Sequence, residues 1–258
     1  MKQKKTAFWK TIQALLIISI LALNSCGATT GNINKKDKSL ALRKMGFSLF
    51  QQGKAREGLA TLLKAEKIDP SNPDLQQEIA LVYQDIDEYD LALNHFKKAI
   101  QLKPDFSEAY NNLGVLYSEK GKFKEALESF DKAVSNILYT TPHFAYHNMG
   151  LVYYRIKDNK KAIDYYNKAI EQAPYYVDAY IDLGIVYENT GKYEDAILIN
   201  KKVMHLIPES METHLNIAKI YLKAGHDKKA VEELQSIIST DPRHPAARKA
   251  MEMLEEIK

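Results

Sequence analysis

The sequence predicts an all-α solenoid built from helix pairs, and three regularities along its 258 residues carry that expectation. The chain repeats itself every 34 residues over 39–244. The eighth and twentieth positions of every unit hold only Gly or Ala, and a proline stands at position 32 in five of the six units. A period in the range of about 20 to 50 residues marks an array of stacked supersecondary units, none of which can bury its apolar face alone.

The units run Ser39 to Asn72, Pro73 to Phe106, Ser107 to Thr140, His143 to Tyr176, Val177 to Ser210 and Met211 to His244. Only Thr141-Pro142 interrupts them, between the third and the fourth. Position 8 (Gly46, Ala80, Gly114, Gly150, Gly184, Ala218) and position 20 (Gly58, Ala92, Ala126, Ala162, Ala196, Ala230) let two helices approach closely. Large residues then fill the space around them: position 11 is Leu49 or a tyrosine, and position 24 is Leu62, Phe96, Phe130, Tyr166 or Leu234. Asn200 departs from that rule in the fifth unit. The prolines (Pro70, Pro104, Pro174, Pro208, Pro242) lack an N–H and fix φ, so each ends a helix and opens a turn. Each unit is therefore two helices and two turns. Residues 245–258 place Ala246, Ala250, Met253, Leu254 and Ile257 on one helical face, which suits a helix capping the last exposed unit.

Small residues, tyrosine, phenylalanine and proline at these spacings resemble the tetratricopeptide repeat family over 39–244. The resemblance implies a right-handed superhelical solenoid of six tetratricopeptide helix-turn-helix repeats with a capping helix, and a protein as ligand. It also implies a concave face lined by positions 2, 5, 6, 9, 12 and 13 of each first helix. On that register the groove takes Arg43, Phe47 and Phe50 from the first unit, Gln77 and Leu81 from the second, and Asn112 and Val115 from the third. Asn148, Leu151 and Tyr154 follow from the fourth, then Ile181, Ile185, Leu215, Asn216 and Leu222. This reads as an apolar trough with polar hooks. Asn at position 6 of three units would hydrogen-bond a peptide backbone through both donor and acceptor. The competing expectation is that several of these side chains pack between neighbouring units.

Ahead of the repeats, Lys2, Lys4, Lys5 and Lys10 precede the apolar run Thr11 to Leu23, so residues 1–25 read as an export signal too short for a permanent membrane span. Leu23-Asn24-Ser25-Cys26-Gly27 resembles the lipobox of bacterial lipoproteins, although Asn24 is bulkier and more polar than the usual occupant. The resemblance implies lipidation of Cys26 and a membrane contact through that anchor. Gly27 behind it implies the outer membrane, with the protein facing the periplasm. Cys26 is the only cysteine, which excludes an intramolecular disulfide or a thiolate cluster. Residues 26–38 are the lipidated cysteine and a Gly-, Thr-, Asn- and Lys-rich stretch expected to be a flexible tether.

The four leader lysines account for the excess of 36 Lys and Arg over 33 Asp and Glu, so the exported part lacks the basic surplus that a nucleic-acid surface needs. No phosphate-binding loop, dinucleotide fingerprint, zinc-protease or nucleophile-elbow motif occurs. His143 and His147 lie one helical turn apart without a third ligand, and Asp85, Asp87 and Asp90 lack the Gly and Glu of a calcium loop. The expectation is a binding protein with no catalytic site, metal, cofactor or small-molecule substrate.

The interruption adds one further likeness. Ser135-Asn136-Ile137-Leu138-Tyr139-Thr140-Thr141-Pro142 replaces the usual proline turn, and with the lipobox and six repeats it resembles the pilotin lipoproteins of type IV pili. Those help secretin subunits reach the outer membrane and assemble into a ring, which implies a secretin subunit as partner. The alternative is a periplasmic scaffold tethering cell-wall enzymes or an outer-membrane assembly complex through the same groove.

Overall fold

The computed structural model describes residues 34–208 and 210–257. The expected export signal, Cys26 and the first part of the tether lie outside the described residues. The chain divides into two compact modules, 1–109 and 110–258. The first contains α1 (34–51), α2 (Ala55–Ile68), α3 (Pro73–Asp85) and α4 (Tyr89–Leu102). The second holds most of α5 (Ser107–Glu119), then α6 (Phe123–Ser135), α7 (Pro142–Arg155), α8 (Asn159–Gln172), α9 (Val177–Asn189), α10 (Tyr193–Leu206), α11 (Met211–Lys223), α12 (Asp227–Thr240) and α13 (Pro245–Glu256). No strand occurs among the described residues, and no helix among them is long and apolar enough to cross a membrane.

The 34-residue rhythm becomes geometry through its two turns. At position 15 the backbone enters the left-handed region in every repeat, at Gly53, Asp87, Gly121, Lys157, Gly191 and Gly225, with φ between 63° and 78°. The next N–H then reaches back to the carbonyl of position 11, as in Lys122 to Tyr117 at 2.8 Å and Asp158 to Tyr153 at 2.9 Å, which closes the first helix with a Schellman-type bond. The second turn is set by proline. The residue before it cannot stay helical, because the ring crowds its backbone, and Asp69, Lys103, Ala173, Ile207 and Asp241 accordingly have φ from −132° to −149°.

Within a repeat, the glycine at position 8 meets the large residue at position 24, as the sequence predicts. A Cβ added to Gly46 would lie 2.8 Å from Leu62, and one on Gly150 would lie 2.6 Å from the Tyr166 ring. Phe130 presses on Gly114 in the same way. Since Leu62, Phe130 and Tyr166 have no exposed surface, these contacts are the dry centre of each helix pair. At the C-terminal end, Ala246, Ala247 and Ala250 of α13 close over Leu215, Leu234 and Ile237, with Met253, Leu254 and Ile257 at the rim.

Two local features differ from, or sharpen, the sequence reading. Helix α1 already covers 34–38, which was assigned to the tether. Lysine is a good helix former with its ammonium in water, and the buried Ser39 pins this stretch by donating its hydroxyl to the Ala65 carbonyl at 3.0 Å. The interrupting loop is divided in its loyalties. Tyr139 is 7% exposed and packs with Phe130, Ala133, Ala145 and Met149, whereas Ile137 and Leu138 are 94% and 78% exposed. Asn136 fixes the knuckle: its Oδ1 accepts the Leu138 N–H and its carbonyl the Tyr139 N–H, both at 3.0 Å.

Candidate functional site

In the first module the expected groove residues are largely spent on holding the helices together. Phe47 and Phe50 face each other with ring centroids 6.0 Å apart and pack against the cluster of Leu62, Leu75, Ile79 and Val82. Leu81 is half-buried, and the Gln77 Oε1 is buried without a hydrogen bond. Arg43 is not a free cation. Its guanidinium lies 2.9 Å from the Asp74 carboxylate and 3.8 Å from that of Glu78. Burial pushes the Glu78 carboxyl up to about 7, with Arg43 opposing the rise and Asp74 adding to it.

The second module has a more open face. Val115, Asn148 and Leu151 come together around a recess of about 90 Å³ whose walls also include Ser118, Phe130 and Arg155. Arg155 donates to the Ser118 carbonyl and hydroxyl at 3.3 Å and pairs with no carboxylate among the described residues. Asn112 is half-buried and makes no hydrogen bond among the described residues. The Tyr154 hydroxyl accepts from the Asn189 amide at 2.6 Å. Further along, Ile181 and Ile185 stand 42% and 37% exposed on α9, while Leu215 is buried.

The asparagine hooks require correction. Asn148 donates to Asn111 Oδ1 at 3.0 Å, and Asn216 donates to Asn200 Oδ1 at 3.0 Å. Each keeps one N–H and its carbonyl, so the amide is half-committed before any ligand arrives. Both bonds belong to a wider pattern that the sequence reading missed. Position 5 of one first helix reaches position 6 of the next, in Arg43 with Glu78, Asn111 with Asn148, and His147 with Asp182 at 2.7 Å. These polar rungs join neighbouring repeats; complementary residue types spaced by one repeat plus one residue are the signal that would have found them.

The third rung also settles the His143 and His147 pair. His147 is buried, bonded through Nε2 to Asp182 and through Nδ1 to the Tyr176 hydroxyl at 3.2 Å. Burial, with the nearby Asp178 and Asp182 carboxylates, pushes that phenol up to about 12, so it stays protonated. His143 instead stacks its ring edge-on against Tyr176 at 5.1 Å. No group of three or more His, Cys, Asp or Glu among the described residues is placed to hold a metal ion.

Paired helices, position-8 contacts and a first-helix face define a class. The chain matches the tetratricopeptide repeat family over 105–174, 143–206 and 191–254, and a further TPR repeat over 85–121. It is a tetratricopeptide-repeat protein. Among its relatives is a pilus protein: it is 29% identical over 133 residues to the type IV pilus assembly protein PilF of Pseudomonas aeruginosa, a match spanning 49% of this chain and 52% of PilF. The chain thus spans about half the length of that relative. In three dimensions it is similar to PilW, a widely conserved type IV pilus biogenesis factor, with a TM-score of 0.71 and 23% identity over 83% of this chain and 98% of PilW. The solved Pseudomonas aeruginosa PilF is similar at a TM-score of 0.69 and 20% identity, over 86% of this chain and 99% of that one. At those identities the two structures speak for the fold.

Proposed function

We propose that this chain is a type IV pilus biogenesis factor that holds a segment of another protein along its first-helix face, and that it serves as a pilotin. In this reading Cys26 carries the lipid that anchors the protein in the outer membrane, the repeats face the periplasm, and the segment held belongs to a secretin subunit. The observation that carries the reading is the 29% identity to a type IV pilus assembly protein. The groove supplies the means: Val115, Leu151, Ile181 and Ile185 offer apolar surface, and Asn112, Asn148 and Arg155 keep donors or acceptors for a peptide backbone.

Affinity capture from detergent-solubilised envelopes, with the intact protein beside a Cys26→Ser control, tests it. The expected result is recovery of a secretin by both proteins and loss of secretin multimers from the outer membrane of the control strain. Recovery of cell-wall enzymes without a secretin would replace the pilotin reading with that of a periplasmic scaffold.

A further inference from the structure

The fifth repeat departs from the repeats around it in two ways, and both departures fall at one place. Position 24 carries Asn200 where the other repeats carry Leu, Phe or Tyr. Position 5 carries Ile181, which can form no polar rung with Asn216 at position 6 of the next repeat. Asn216 turns to Asn200 instead. Asn200 is 6% exposed and engaged at both ends of its amide, donating to the Ala196 carbonyl at 2.9 Å while accepting from Asn216. A polar amide thus stands where an apolar side chain sits in the other repeats, and a cavity of about 340 Å³ lies beside it.

The walls of this cavity say what it would accept. Ile181, Ile207 and Leu215 give it an apolar lining, with Ile181 and Ile207 about two-fifths exposed. Lys219 of α11 and Lys249 of α13 stand on its rim, and neither lies within ion-pair distance of a carboxylate among the described residues. The one acid in the lining, Glu212, is 3.9 Å from the His244 imidazole. An apolar hole with two unpaired cations at its mouth is complementary to a large apolar side chain followed by acidic ones.

We infer that the cavity bounded by Asn200, Ile181 and Leu215, with Lys219 and Lys249 at its rim, is a socket for one large apolar side chain of an acidic segment in the bound protein. This rests on the reading that the first-helix face binds a protein segment, and it names the chemistry of that segment. Asn200 is a positioning residue on the wall of the socket. Phenylalanine is already the occupant of position 24 at Phe96 and Phe130, and Phe130 packs on a glycine at position 8 as Gly184 stands beside Asn200, so Asn200→Phe adds a ring at the wall while suiting the fold.

The test uses the purified protein and fluorescein-labelled dodecapeptides of Gly and Ser, blocked at both ends, with Leu-Asp-Asp at the centre. Control peptides carry Leu-Lys-Lys or Ser-Asp-Asp there. Fluorescence anisotropy should show the Leu-Asp-Asp peptide bound at least tenfold more tightly than either control. Asn200→Phe should weaken it at least tenfold with thermal unfolding unchanged or raised, and the exposed double change Lys219→Glu with Lys249→Glu should do the same. Equal binding of the lysine peptide, undiminished binding by Asn200→Phe, or no binding of any peptide by the wild type would each overturn the socket. Envelope capture separates the two ideas: a secretin recovered equally by wild type and Asn200→Phe discards the socket and leaves the pilotin reading, while recovery by neither removes that reading too.

Discussion

Replacing Glu78 with glutamine should make the protein more stable, but only above about pH 4.5, with the full gain reached above pH 7. The Glu78 side chain is 15% exposed, and its nearest cation, Arg43, is 3.8 Å away and shared with Asp74. Burial holds the carboxyl at about 7, against an ordinary 4.5. A folded-state value above the unfolded one means that stability is fully present below 4.5, declines as the folded protein alone retains the proton, and levels off above 7. The charged form therefore costs the fold about 3 kcal/mol. Glutamine mimics the protonated acid in shape and leaves Arg43 its contact with Asp74 at 2.9 Å. Urea unfolding followed by circular dichroism should give matching stabilities near pH 4, and near pH 8.5 an advantage to Glu78→Gln of about 3 kcal/mol. Hydrogen exchange at the α3 amides localises the effect should the array unfold in parts. An equal difference at both pH values, or a variant less stable at high pH, would refute the assignment of a buried, proton-retaining carboxyl.

Two further changes test the turns. Lys157 holds φ at 64° where four other repeats use glycine, so Lys157→Gly should gain about 0.5–1 kcal/mol, the left-handed penalty less the backbone entropy of glycine; a loss on urea unfolding would contradict this. In the interrupting loop, Ile137→Ser with Leu138→Ser should change stability by no more than about 0.5 kcal/mol. Tyr139→Ala, which empties a site only 7% exposed, should cost about 3–5 kcal/mol, and similar effects from the two would deny the division of labour within the loop.

The fold was legible because its period puts interacting residues at fixed offsets. Gly150 and Tyr166 are sixteen residues apart in one repeat, and so are Gly114 and Phe130, so a one-dimensional pattern contains that contact directly. The proline turns are legible for the same local reason. Position 15 was not read, since Asp87 and Lys157 hide a backbone requirement that the four glycines state openly. The groove was legible only as a face. Which of its residues are free depends on contacts to the next repeat, and those require a register across 35 residues, or 37 where Thr141-Pro142 intervenes.

That register changes what the face can do. Positions 5 and 6 meet across neighbouring repeats at several joins, where a polar residue is drawn first to its counterpart: Asn111 to Asn148, His147 to Asp182. A buried polar group left unpaired costs about 1–3 kcal/mol, which is more than an exposed contact to a ligand returns. Rungs therefore form before binding, and specificity passes to positions 9, 12 and 13, where Val115, Leu151, Tyr154 and Arg155 stand. Where position 5 is apolar, as at Ile181, the Asn216 amide turns to Asn200 instead, and Ile181 stands about two-fifths exposed beside a cavity. The pairing between repeats thus decides what the face has left for a ligand: the amides that pair are half spent, while Ile181 keeps its apolar surface.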